Sequence, residues 1–163
     1  MKTAISNIAL PSFDHLKEIY QLHDIGFDGL EVAPSKIWDD VKKVKSNQIT
    51  RYREQVENAG LRIIGMHSLF WDQPELGLFK NSIIRKKTLD FLIHLSKICR
   101  DLGGSFLVFG SPQARIRNGL SLNRADLVTV EFFSELSNHI EKHNTCFIIE
   151  ALSSTETDYI HSI

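Results

Sequence analysis

The sequence predicts an α/β fold of parallel strand–helix units, an incomplete (β/α)8 barrel of about five parallel strands alternating with helices. Three observations lead there. Five short apolar runs alternate strictly with four stretches of helical periodicity, the pattern of successive βα units. Each run ends in polar residues, which in a barrel converge on one face. No G-x-G-x-x-G follows the first run and no G-x-x-x-x-G-K-[ST] occurs, so an open nucleotide-binding sheet has no support. A closed barrel takes ~250 residues, and the 163 here predict one partial domain, residues 1–163, about three units short of closure.

The first strand is expected over residues 2–9, with Ser6 and Asn7 near its exit. Pro11 and Ser12 open a helix to about Ile25, with Phe13, Leu16, Ile19, Tyr20 and His23 on one side and Gly26 ending it. The second strand, 28–33, stops at Pro34, and Trp38 lies in the loop beyond. Val41, Val44, Ile49, Tyr52 and Val56 mark a second helix closed by Gly60. The third strand, 61–66, leaves through His67, Ser68, Leu69, Phe70 and Trp71. The loop 72–81 is long for a βα connection, which makes it a candidate cleft wall.

Ile84, Thr88, Phe91, Leu92, Leu95, Ile98, Cys99 and Leu102 form the apolar face of a third helix. The fourth strand, 105–109, exits through Gly110, Ser111 and Pro112 towards Arg115. Asn123 is expected to cap a fourth helix, with Asp126 in its first turn and Leu127, Val130, Phe133, Leu136 and Ile140 facing the core. Residues 145–150 read as a fifth strand buried on both faces and ending in Glu150, with a further helix start near Asp158.

Composition limits the function. The formal net charge of -1 gives no electrostatic case for nucleic acid or a membrane surface. No apolar run approaches the ~20 residues of a membrane span. Cys99 and Cys146 lack ligand spacing and are expected as buried thiols in a reducing, cytoplasmic setting. A small-molecule partner is left.

The strand exits offer Asn7, Glu31, His67, the Gly110–Ser111 turn and Glu150. A Glu-His-Glu set suits a divalent metal, because carboxylate and imidazole ligate Mn, Mg, Co or Zn. It equally suits acid/base chemistry beside a carbonyl. Glu150 is the leading candidate, since an ionised carboxylate rarely ends a buried strand without a partner. Trp38, Phe70 and Trp71 can supply walls for a sugar ring, and Arg115 a cation for hydroxyls or a phosphate. The competing readings are structural: Glu31 as a helix cap or ion-pair partner, His67 as a core histidine, Arg115 as a solvated loop cation. His139 and His143, four apart, end a polar helix with no acidic partner and are not taken as a metal site.

The segments Ser6-Asn7-Ile8-Ala9, Gly26-Phe27-Asp28-Gly29-Leu30-Glu31, Gly60-Leu61-Arg62-Ile63-Ile64-Gly65-Met66-His67 and Phe147-Ile148-Ile149-Glu150 resemble the xylose isomerase-like TIM-barrel superfamily of sugar and sugar-phosphate isomerases and epimerases. The resemblance covers the first five of eight βα units. It implies that Glu150 ligates a divalent metal and acts as an acid/base group, that His67 contacts metal or substrate, and that Glu31 lines the pocket. The family's endonucleases, which act at abasic sites, carry a histidine at the end of strand four, where Gly110-Ser111-Pro112 stands here. A sugar isomerase or epimerase is therefore the expectation, with an abasic-site nuclease or a non-catalytic half-barrel as alternatives. The remaining metal ligands implied by the family, an Asp, a His and a second Glu, come from strands six to eight. The chain by itself is accordingly expected to be inactive, marginally soluble or completed by self-association.

Overall fold

A computed structural model describes residues 2–161. Five strands, β1 (Ala4–Ser6), β2 (Gly29–Val32), β3 (Arg62–Met66), β4 (Phe106–Phe109) and β5 (Cys146–Ile149), lie side by side in sequence order, every neighbouring pair parallel. Four helices connect them: α1 (Leu16–Asp24), α2 (Ser46–Asn58), α3 (Ser82–Leu102) and α4 (Leu122–Ile140). This is the expected incomplete barrel. Among the described residues no helix is long and apolar enough to cross a membrane.

The core lies between sheet and helices. α3 anchors it, because its apolar residues recur at helical spacing and bury Leu89, Leu92, Leu95 and Leu102 almost completely. Each such side chain contributes about 1.5–3 kcal/mol through burial. Asn81 caps the helix by accepting from the Ile84 amide. The Phe106 ring lies against Gly65 of β3 so tightly that a Cβ there would overlap it.

Element boundaries depart from expectation where side chains capture the backbone. β1 is three residues long, because the Ser6 hydroxyl accepts from the Ile8 amide and turns Asn7–Ala9 into a 3-10 turn. α1 begins at Leu16 rather than near Pro11, and Phe13 takes a left-handed φ of 65° with its ring exposed. α4 begins one turn's fraction earlier than expected, capped by Ser121 instead of Asn123. Its core face is also rotated: Ala125, Val128, Phe132, Leu136 and Ile140 are buried, whereas Leu127 and Val130 are exposed. No helix forms at Asp158.

β5 is not buried on both faces. It is an edge strand whose outer neighbour is missing from the sheet among the described residues, so Cys146 and Ile148 are exposed and Phe147 and Ile149 half-buried. The expectation of two buried thiols is corrected accordingly: Cys99 is buried, Cys146 is exposed, and both are free.

Candidate functional site

The C-terminal strand ends open onto a cleft of about 560 Å3. β2 contributes Glu31, the β3 exit contributes His67, Ser68, Phe70 and Trp71, the β4 exit contributes Gly110 and Ser111, and β5 leads to Glu150. The parallel registers explain the convergence. Phe106 pairs with Cys146 and Val108 with Ile148, so two residues further on Gly110 and Glu150 fall on the same face. Gly110 matters there, since a Cβ at that position would overlap the Glu150 carboxylate.

His67 is the most constrained of these groups. Its Nε2 meets the Ser6 hydroxyl at 2.5 Å and its Nδ1 the Ser68 hydroxyl at 3.2 Å. Glu31 Oε2 lies 3.9 Å from Nε2, too far for a hydrogen bond. Burial lowers the His67 pKa from the usual histidine value, and the charges of Glu31 and Glu150 partly offset that. The ring is therefore held neutral near pH 7. Ser6 and Ser68 were not among the expected site residues. A hydroxyl at the exit of β1, and one directly after His67, were the signals that could have found them.

Trp71 stands at the rim with 78% of its surface exposed, free to lie along a ligand. The loop after β3, expected as a wall, does form one through Gln73, Pro74 and Leu76.

Three expected contacts are corrected. Asn7 is fully buried, its amide tying β1 to β2 by accepting from the Ala33 amide at 2.7 Å and donating to the Ala33 carbonyl at 3.3 Å. Trp38 is buried edge-on against Tyr52, away from the cleft. Arg115 is buried and not a solvated cation: its guanidinium donates to the carbonyls of Phe109 and Glu150, each at 2.6 Å. All three hold the frame. Asn7 and Arg115 do so by giving backbone groups at strand ends hydrogen-bond partners, and Trp38 by packing on Tyr52.

The set of groups suits acid/base work and hydroxyl recognition. It falls short of a metal centre: among the described residues no three His, Cys, Asp or Glu side chains gather closely enough to hold an ion.

The sequence matches the family described as "Xylose isomerase-like TIM barrel" over residues 19–163, and the chain belongs to that family. Comparison with curated proteins by sequence gives no match. Among solved structures, the D-psicose 3-epimerase of Clostridium cellulolyticum H10 with D-tagatose superposes with a TM-score of 0.74 at 20% identity, over 98% of this chain and 55% of that one. A sugar phosphate isomerase/epimerase from Parabacteroides distasonis gives 0.65 at 20% identity, over 91% and 50%. The IOLI protein with a bound zinc atom gives 0.68 at 12%, over 91% and 51%. At these identities the likeness is one of fold. The chain spans about half the length of the structures it matches.

Proposed function

We propose that the cleft binds a ketose-type sugar and belongs to a sugar isomerase or epimerase in which Glu150 moves a proton next to the substrate carbonyl. One observation carries the reading: Glu31, His67 and Glu150, from three separate strand ends, line a single cleft in a chain of this family. Glu31 and His67 take the sugar hydroxyls, Trp71 lies along the ring, and Glu150 at the open end of the cleft is the acid/base group. The partial domain supplies one wall of the site.

The lining holds two carboxylates and no Lys or Arg. A phosphate group is repelled from such a wall, and so is a phosphodiester backbone. The hydroxyl-bearing end of the sugar is the part bound here. A divalent ion, Mn, Mg, Co or Zn, belongs to the same reading, with Glu150 as its donor from this chain. When bound it would polarise substrate oxygens as a Lewis acid. The other donors have to come from outside the described residues, because these do not assemble a site. Both cysteines are free, in keeping with a reducing, cytoplasmic setting.

The test is binding. Titration with D-fructose or D-tagatose is expected to give a saturable change in tryptophan fluorescence that Trp71→Phe abolishes. Glu31→Ala combined with His67→Ala is expected to weaken it at least about tenfold. The matching phosphate ester is expected to bind less tightly. Absence of any saturable response in the wild-type chain would end the sugar reading for this wall.

A further inference from the structure

We infer that Ser6, His67 and Ser68 form a one-directional hydrogen-bond chain that fixes the His67 tautomer with its proton on Nδ1 and makes the Ser68 hydroxyl a donor to the ligand. The inference rests on the cleft being the ligand site proposed above.

The direction is set at the buried end. A serine hydroxyl has one proton to give and two lone pairs to receive. The Ile8 amide, at 3.1 Å, can only donate, and it occupies one lone pair of Ser6. The remaining partner of the Ser6 hydroxyl is His67 Nε2 at 2.5 Å. If Nε2 carried the ring proton, both neighbours of Ser6 would be donors and its own proton would have no acceptor among the described contacts. If Nε2 is the unprotonated nitrogen, Ser6 gives it the proton and every group at that end is satisfied. Glu31 Oε2, 3.9 Å from Nε2, is too distant to decide the matter by a hydrogen bond.

The consequence runs through the ring. A neutral imidazole protonated on Nδ1 donates from that side, and the partner there is the Ser68 hydroxyl at 3.2 Å. Ser68 therefore receives from the ring and keeps its own proton for the cleft, whose lining it joins. It does so from a left-handed backbone, φ 51°, a conformation that a non-glycine residue holds only when its surroundings impose it. The nearby carboxylates of Glu31 and Glu150 only accept, so a ligand oxygen that must itself accept has Ser68 to turn to. Ser68 is thus a ligand-contacting residue. Ser6 is a positioning residue, acting through His67 from one shell further out.

The chain can be tested with no ligand present. In NMR of the imidazole nitrogens at about pH 8, where the ring is neutral, wild-type His67 is expected to be predominantly the Nδ1-protonated form. Ser6→Ala is expected to shift the population towards the Nε2-protonated form, and Ser6→Thr, which keeps a hydroxyl, to restore it. A wild-type ring protonated mainly on Nε2 overturns the proposal whatever the variants do. So does a Ser6→Ala protein whose tautomer is unchanged. The readout is independent of sugar binding: the fluorescence titration can fail while the tautomer stands, and the reverse.

Discussion

Glu150 can rest against the end of β4 only because residue 110 has no side chain there. The atom that a Gly110→Ala methyl would strike is the far end of an exposed, flexible side chain, which can swing away at little cost. Stability is therefore expected to change by less than about 1 kcal/mol, while the carboxylate loses its place in the cleft. Equilibrium unfolding and the sugar titration on the same variant separate the two effects. A variant that loses stability but binds as wild type would contradict this account. His15 sets a second, pH-dependent expectation. Its Nδ1 meets the Pro11 carbonyl at 2.9 Å and so carries the proton, while Nε2 accepts from the Tyr52 hydroxyl at 2.8 Å. Burial lowers the pKa of His15, with the Pro11 carbonyl partly opposing, and burial also raises that of Tyr52. His67 and His143 are lowered as well, in each case chiefly by burial. Below the ordinary histidine pKa of about 6.5, the unfolded chain then takes up more protons than the folded one. Stability is complete above that value and falls as the pH drops towards the depressed folded-state values. Urea midpoints measured from about pH 7.5 down to 5.5 are expected to decline, and His15→Gln to flatten part of the slope. A midpoint that rises on acidification would refute it.

At the scale of elements, the strand order and the helix alternation were legible because they follow from periodicity, and a parallel sheet of consecutive βα units leaves few alternatives. Glu31, His67, Trp71 and Glu150, picked out at the strand exits, line one cleft in the structure. What the sequence concealed was the service that polar side chains render to the backbone. Asn7 and Arg115 have the chemistry of ligand contacts, but no pattern along the chain says that the backbone groups of Ala33, Phe109 and Glu150 take a side-chain partner. α4 misled in another way: it carries two apolar stripes, and periodicity alone does not say which one meets the sheet. Arg115 gives the sharpest consequence. Its guanidinium joins the carbonyls that end β4 and open the segment after β5, and burial lowers its pKa while Glu150 pulls the other way. Arg115→Met keeps the volume and removes the donors. Losing these two charge-assisted hydrogen bonds is expected to cost about 2–4 kcal/mol, read as a lower denaturant midpoint with an unchanged slope. Arg115→Lys is expected to recover only part of this, since one ammonium cannot reproduce the planar fork. Full stability in the Met variant would show that the guanidinium is dispensable to the frame.

At the scale of the whole molecule, the sheet has two open edges, because among the described residues β1 and β5 each pair on one side only. Next to β5, the residues Phe133, Leu136, Ile140, Phe147 and Ile149 border an open groove of about 590 Å3. α4 also leaves Leu127 56% and Val130 66% exposed. An exposed strand edge beside apolar side chains is a template for association. In a purified sample the cover available to it is another copy of the same chain. Sedimentation and light scattering are therefore expected to show a mass that rises with concentration in the micromolar range. Leu127→Lys together with Val130→Glu is expected to lower that association while moving the thermal midpoint by no more than a few degrees, because both side chains already lie in solvent. The sugar titration on the same double variant then asks whether the cleft wall works alone. Binding that survives in the monomer assigns recognition to this chain's own strand ends. A wild-type chain that stays monomeric at high concentration would mean that the exposed stripe and the free edges of the sheet do not drive its assembly.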